Sequence, residues 1–530
     1  MKMKRLAVCC AAAFAVSAHV HGQALSSAQT SNSWFSDAEA SIAAKVARTQ
    51  SDSAKNVILF VGDGMGISTL TAARILEGQL KGNNGEEGYL SFETFPYTAL
   101  VKTYNVDAQT PDSAGTMTAM MSGVKTDVGT IGIDEDVVRG DCSSAAGNEL
   151  VTALELAELK GLSTGVVSTA RITHATPAAT YAKSADRNWE DNSDMPAAAD
   201  ACEDIASQLI NFEANLEARI DGADVDGIEV AMGGGRRHFI PKDTAFNVEK
   251  DVAAGAEGDR TDGRDLPTEW TSLYQNGVYV TDQTGFDAVN TETTERLLGL
   301  FNESHMQYEA DRDKDIAGEP SLADMTDKAI AILDNNQNGF FLMVESGRID
   351  HGHHAGSAYS ALTDTIEFAK AVQAAVEATG DDTLILVTAD HSHVFTIAGY
   401  PKRGNPILGK VVAVGSTTPA TASDGMPYTT LGYTNGLGFA ELGTETNADA
   451  RYDMAADNGR VDLSSVNTET PGYHQEALIP LGSETHAGED ISIHAMGPGA
   501  HKAQGTVEQS VVFHLINQAL ALDTEYGDRQ

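Results

Sequence analysis

Apolar positions along this chain fall into short unbroken runs, each followed by a longer stretch with helical spacing. NVILFV (Asn56 to Val61) is one such run; the polar GDGMG follows it, and a helix-like pattern begins at Ser68. NELVTALELAELKG reads as a helix with a glycine stop, and STGVVST behind it as a strand. LADMTDKAIAIL predicts a helix feeding the run GFFLMV, and SALTDTIEFAKAVQAAVEAT a helix feeding DTLILVT. Apolar runs of this length are buried on both faces, and their alternation with helices predicts an α/β fold, a large and mostly parallel sheet sandwiched by helices. From about Phe395 to Pro480 the pattern dissolves into Gly, Pro, Thr and Ser, which predicts an irregular insertion, before the amphipathic VEQSVVFHLINQALAL closes the chain.

The polar residues gain meaning from where those runs end. Asp63 follows VILFV, Glu345 follows FFLMV, Asp390 and His391 follow LILVT, and His174 and Thr176 follow GVVST after a short turn. In open α/β sheets the carboxyl ends of the strands form the crevice that binds ligands, so four runs deliver ligand-type side chains to one rim. VESGRIDHGHHAG adds Asp350 and His354, spaced to share one helical face, and GSETHAGEDISIHAMGPGAH adds His486 beside a Gly-rich turn. Alone, an Asp-His pair reads as a polar helix start. Its coincidence with three other strand ends favours a metal site.

In QTPDSAGTMTAMMSG, Ser113 follows an acid and opens a small-residue helix whose free amides form an anion site. The plain alternative is an Asp-Ser helix cap. No G-x-S-x-G elbow surrounds the serine, so a Ser-His-Asp esterase is poorly supported, whereas metal ions could activate the hydroxyl. The Asp and His ligands outnumber the needs of one zinc; two zinc sites and one oxygen-rich magnesium site would use them economically, and paired metals suit phosphoryl transfer.

Bulk properties narrow the setting. The 530 residues are 42% hydrophobic and 21% charged, an ordinary globular composition. MKMKRLAVCCAAAFAVSAHVHGQA, basic then apolar then small, has the anatomy of a secretory signal peptide over residues 1–24, which predicts a periplasmic or secreted protein. Cys142 and Cys202 remain beyond it, and two cysteines in an exported chain suggest one disulfide. Against 35 Lys plus Arg stand 76 Asp plus Glu, for a formal net charge of -41 scattered along the chain. Nucleic acid and anionic membranes would repel such a surface, and a salty habitat rationalises it.

In order, VGDGMG, TYNVDAQTPDSAGT, HATPAATYAKSADRNW, VESGRIDHGHH, TADHSHVF, GYPKRG and ETHAGED resemble alkaline phosphatase, and the animal-type branch more than the enteric bacterial one. The likeness runs from about Trp34 to about Leu522. It implies that Asp350, His354 and His486 bind a first zinc, that Asp63, Asp390 and His391 bind a second, and that Asp63, Thr176 and Glu345 bind magnesium. It further implies Ser113 as nucleophile, a phosphoseryl intermediate, Arg187 as the phosphate fork, and small phosphate monoesters as substrates. His174 and His351 fall where the family varies and would border the substrate; His353, His393 and Arg348 would be bystanders or supports. The resemblance also implies a Cys142–Cys202 disulfide and a crown-like insertion over residues 395–480. Residues 25–394 and 481–530 would form the catalytic domain, and a homodimer is expected. The stretch LGLFNESHMQYEAD places Asn302 after Phe301, and Glu319 precedes Pro-Ser, where the animal-type calcium site has glutamate and aspartate; both departures argue against a fourth metal site. The tail shows no hydrophobic anchor signal. A hydrolase of sulfate esters or phosphodiesters would share the sheet and metal rim, and a non-enzymatic acidic metal-binding protein would not explain Ser113 with Arg187.

The charge makes a direct prediction. Melting temperature should rise from dilute buffer to molar sodium chloride, where the screening length falls to about 3 Å and self-repulsion is quenched. A flat or falling calorimetric curve would assign the acidic coat another purpose.

Overall fold

A computed structural model describes residues 25–45, 51–199, 201–248, 255–456 and 459–522 of the chain. The leader-type segment 1–24 lies outside these described residues. Numbering the main-sheet strands in chain order gives β1 Asn56–Gly62, β2 Tyr97–Lys102, β3 Ser163–Arg171, β4 Val230–Gly234, β5 Gly277–Val280, β6 Arg296–Leu300, β7 Phe340–Ser346, β8 Thr383–Ala389, β9 Ile491–Met496 and β10 Gly505–Glu508. They form one ten-stranded sheet in the order β10-β2-β9-β8-β1-β7-β3-β4-β6-β5. All neighbours are parallel except β9, which runs antiparallel to both β2 and β8. The mostly parallel, helix-covered sheet expected from the apolar runs is present.

Every residue of β1, β7 and β8 is buried, which explains why these strands are unbroken apolar runs rather than alternating ones. One face is covered by helices Ile67–Leu80, Leu322–Leu333 and Ala358–Ala378. The other carries Ser113–Ser122, Ala153–Lys160, Ala175–Tyr181 and Val511–Leu520. The NELVTALELAELKG helix is shorter than its pattern predicts. Thr152 caps it, its side chain accepting from Glu155 N while Glu155 returns to the Thr152 amide, and Gly161 ends it in the left-handed conformation at φ 75°. Strands β2, β4, β5, β6, β9 and β10 are shorter or more mixed in polarity, and their pattern alone did not mark them. ISIHAM in particular reads as part of a turn-rich return, yet it forms β9.

Within 395–480 the described residues form small sheets instead of extending the large one. Phe395–Ile397, Leu431–Gly436 and Ala477–Pro480 make a three-stranded sheet, and Ala440–Glu441 pairs with Tyr473–His474. Among the described residues no helix is long and apolar enough to cross a membrane.

Cys142 and Cys202 form a disulfide across a sequence separation of 60, with Cα atoms 5.8 Å apart. Closing a loop of that length should be worth about 4 kcal/mol, so the Cys142→Ser, Cys202→Ser double variant should unfold at a clearly lower urea concentration. Peptide mapping of denatured, unreduced protein should find neither cysteine alkylated.

Candidate metal centre and nucleophile

Strands β8, β1, β7 and β3 are consecutive neighbours at the middle of the sheet. Their register aligns Gly62 with Ala389 on one side and with Ser346 on the other. The next residues, Asp63 and Asp390, therefore emerge side by side, and Glu345 sits one step back on β7. Gly64, at φ +70°, makes the turn possible: a Cβ there would lie 2.3 Å from His393 Nε2. Because β9 runs backwards, its leading segment starts at the same rim. His486 and Ala487 pair there with His393 and Ser392. Helix Arg348–His354 follows β7 directly and aims Asp350 and His354 along one face.

Three acceptors converge at the first point. Asp350 Oδ1 lies 3.3 Å from His354 Nε2 and 3.4 Å from His486 Nε2, and the two Nε2 atoms are 3.1 Å apart. The opposite nitrogens fix the tautomers: His354 Nδ1–H donates to the Glu484 carbonyl at 2.6 Å and His486 Nδ1–H to the Pro111 carbonyl at 2.8 Å. Both Nε2 atoms, which carry the free lone pair in a neutral imidazole of this kind, therefore face the Asp350 carboxylate. A tetrahedral ion with bonds of about 2.0–2.1 Å sets its donors about 3.3 Å apart, so the set fits a zinc-type ion.

At the second point His391 Nε2 lies 3.3 Å from Asp63 Oδ1 and 3.3 Å from Asp390 Oδ2, and His391 Nδ1 is buried without a hydrogen-bond partner. Thr176 Oγ1 is 3.3 Å from Asp63 Oδ2, and Ser168 Oγ donates to Glu345 Oε2 while Glu345 Oε1 is buried and unpartnered. Asp63, Thr176 and Glu345 offer the oxygen donors that suit a magnesium-type ion. Burial pushes the Asp63 carboxyl well above the usual carboxylate range, with repulsion from Asp390, Asp350 and Glu345 adding to it. Burial likewise raises Asp390 and lifts Glu345 to about 8. So many buried like charges fit a site completed by cations.

Ser113 is the first residue of helix Ser113–Ser122, but it is not its cap. Asp112 is, accepting from Gly115 N at 3.1 Å. The Ser113 hydroxyl instead lies 3.1 Å from His391 Nε2 and 3.5 Å from both Asp63 oxygens. Arg187 stands beside it, donating from Nη1 to Asp112 Oδ2 at 3.0 Å and from Nη2 to His174 Nε2 at 3.1 Å. Burial opposes the Asp112 charge, but Arg187 outweighs it and holds the carboxyl below its ordinary value. His351 Nδ1 meets Arg348 Nη1 at 3.1 Å, and Arg348 also donates to Asp449 at 2.6 Å. His353 points away, between Thr69 and Tyr433, as a satisfied core histidine.

Several residues here carried no sequence signal, or only a weak one. His393, left as a bystander or support, is clamped by Glu484 at 2.5 Å and Asp350 at 2.8 Å. Burial lowers its basicity, but the two carboxylates outweigh that and raise it to about 10, so it donates to both and orients Asp350. Glu484, Ser168 and His305 carry no distinguishing signal in sequence, although Glu484 sits inside the ETHAGED motif. Asp191, Asp194 and His238 also converge, apart from this rim, with His238 Nδ1 2.6 Å from Asp191. Asn302 turns its side chain onto Ser304 N, and Glu319 accepts from Gln307 N at 2.6 Å with its second oxygen buried and unpartnered.

The alkaline phosphatase sequence profile matches residues 54–522. The chain belongs to the alkaline phosphatase family. It is 43% identical over 474 residues to the tissue-nonspecific alkaline phosphatase of Felis catus, covering 88% of this chain and 84% of the cat enzyme. The expected likeness to animal enzymes is thus present. Among solved structures, the Thermus thermophilus alkaline phosphatase superposes with a TM-score of 0.61 at 22% identity, covering 90% of this chain and 94% of that one. The enzyme of the Antarctic bacterium TAB5 gives 0.57 at 22% identity, covering 89% and 99%. As an alkaline phosphatase the chain is a metal-binding phosphomonoesterase, and its buried Asp and His clusters are groups that could hold a metal ion.

The raised carboxyls set a pH dependence for this phosphatase once stripped of metal. A carboxyl that is less acidic folded than unfolded favours folding below its unfolded value and loses that contribution as pH rises through the folded one. With Glu345 moved from 4.5 to about 8, metal-free protein should lose stability across that interval. Glu345→Gln should flatten the slope in urea titrations; an unchanged slope would remove Glu345 from the account.

Proposed function

We propose that the enzyme hydrolyses a broad range of small phosphate monoesters through a phosphoserine intermediate at a two-zinc, one-magnesium centre. The observation that carries this reading is the Ser113 hydroxyl: it belongs to a helix start already capped by Asp112 and points into the buried acceptors. Asp350, His354 and His486 would hold one zinc, Asp63, Asp390 and His391 the other, and Asp63, Thr176 and Glu345 the magnesium. A variant of the TAB5 enzyme has magnesium bound in its M3 site, which supports a magnesium position in this fold. When bound, the ions supply Lewis-acid charge that lowers the pKa of hydroxyl and water and offsets charge on the leaving oxygen.

The chain's own residues do the rest. Arg187, braced by Asp112 and His174, presents forked donors to two phosphoryl oxygens. Ser113 Oγ attacks phosphorus, the bond to the ester oxygen breaks, and a phosphoseryl ester forms. Water then attacks the same phosphorus, restores Ser113 and releases inorganic phosphate. Recognition concentrated on the phosphoryl group leaves the leaving group largely unread. His174 and His351 border the substrate. We further propose that residues 1–24 direct export to the periplasm or outside, that residues 395–480 form a crown-like insertion on a catalytic domain of residues 25–394 and 481–530, that the protein works as a homodimer, and that the acidic coat is an adaptation to salt.

Ser113→Ala tests the mechanism. It should keep fold and metal content yet lower turnover of a phosphate monoester by about a thousandfold or more, as loss of a nucleophile does. Acid quenching of wild type with labelled phosphate should place label on the peptide containing Ser113, and chiral phosphate should be transferred with net retention. Inversion, or label on another peptide, would falsify the phosphoserine route. Faster turnover of a diester or a sulfate ester would redirect the substrate assignment.

A further inference from the structure

Beside the metal-type side chains, three imidazoles from three separate segments meet, all half-buried: His174 behind β3, His351 on helix Arg348–His354, and His305 behind β6. The His305 ring centre is 4.0 Å from that of His351 and 5.5 Å from that of His174. His305 is itself held by Arg171, whose main-chain amide donates to Nδ1 at 3.2 Å and whose Nη1 faces Nε2. Glu190 grips the Arg171 guanidinium at 2.8 and 2.6 Å.

His305 lies closest to His351, and both rings pack against His174, which also groups with Asp63 and Glu345. His174 Nε2 accepts from Arg187 Nη2, while His174 Nδ1 is buried with no partner to orient it. Arg187 is thus braced by Asp112 on one arm and by an imidazole on the other, and that imidazole is kept in place by packing. A planar fork binds two phosphoryl oxygens well only when its plane is fixed.

We infer that His305 is a positioning residue for phosphate recognition, a wedge that keeps His174 and His351 in the places from which His174 braces Arg187. The inference rests on the reading that Arg187 binds the phosphoryl group. Its chemistry is steric and dipolar, and His305 need not touch substrate.

In holoenzyme purified with zinc and magnesium, His305→Ala should raise KM for p-nitrophenyl phosphate and the inhibition constant of inorganic phosphate together, by about three- to tenfold, with no fall in kcat. His305→Phe, which keeps the ring, should restore both to within about twofold of wild type. In an Arg187→Ala background, His305→Ala should add nothing more, because coupled residues are non-additive. A purely structural role would lower melting temperature and active fraction at unchanged KM, and that result overturns the inference. So does a defect in His305→Phe equal to that in His305→Ala, or full additivity with Arg187→Ala. If Arg187→Ala by itself leaves KM unchanged, the phosphate-binding reading fails first and takes the wedge with it; if Arg187→Ala raises KM and His305→Ala does not, the wedge alone falls.

Discussion

Two imidazole Nε2 atoms and a carboxylate oxygen aimed at a common point are the constraint around which this molecule is arranged. His354 and His486 donate Nδ1–H to the carbonyls of Glu484 and Pro111, which turns both Nε2 atoms toward Asp350. Asp350 is held in turn by His393, which is kept charged between two carboxylates. A bound cation would complete such a convergence inside a protein. The supports are as important as the ligands, because they decide which nitrogen is free.

The sheet makes that convergence possible by register. Adjacent parallel strands in step place Asp63 and Asp390 side by side, and the reversed strand Ile491–Met496 brings His486 back to the rim from a distant part of the sequence. Strand ends buried on both faces can hold carboxylates at positions that a loop could not fix, since the unbroken apolar runs beneath them leave little room for movement. Residues beyond the sheet contribute as well. Asp449, from the region of small sheets, anchors Arg348 and accepts from the Tyr308 hydroxyl at 2.7 Å.

Charge is organised on two scales. A formal net charge of -41 repels itself over the whole surface, where water and salt screen it. Around the rim the arginines are each matched: Arg187 to Asp112, Arg171 to Glu190 and Arg348 to Asp449. Matched pairs at partly buried positions fix geometry more than they add stability, because desolvation offsets much of the attraction. Beside these guanidinium groups, burial and the nearby positive charge hold the His174, His351 and His305 imidazoles below their ordinary value.

How much of this was legible in the chain follows from the range of each interaction. Apolar runs and helical spacing are local, so VILFV, FFLMV and LILVT declared buried strands. The residues just beyond them declared a polar rim, and Asp350 and His354 declared a shared face by spacing alone. The family likeness added Arg187 and gave His486 a partner set. Strands such as Ile491–Met496 stayed hidden, because a short segment of mixed polarity takes its conformation from its neighbours in the sheet. The roles of His393, Glu484 and His305 were equally out of reach. A histidine in sequence is ligand, core filler or support without distinction, and only the partners of its two nitrogens separate these. For His353 those partners are Thr69 and Tyr433, whereas for His393 they are Glu484 and Asp350. Such partners lie tens to hundreds of residues away along the chain, so the sequence by itself determined which chemistry was present and at which rim, while tertiary structure decided which side chains perform it and which hold them still.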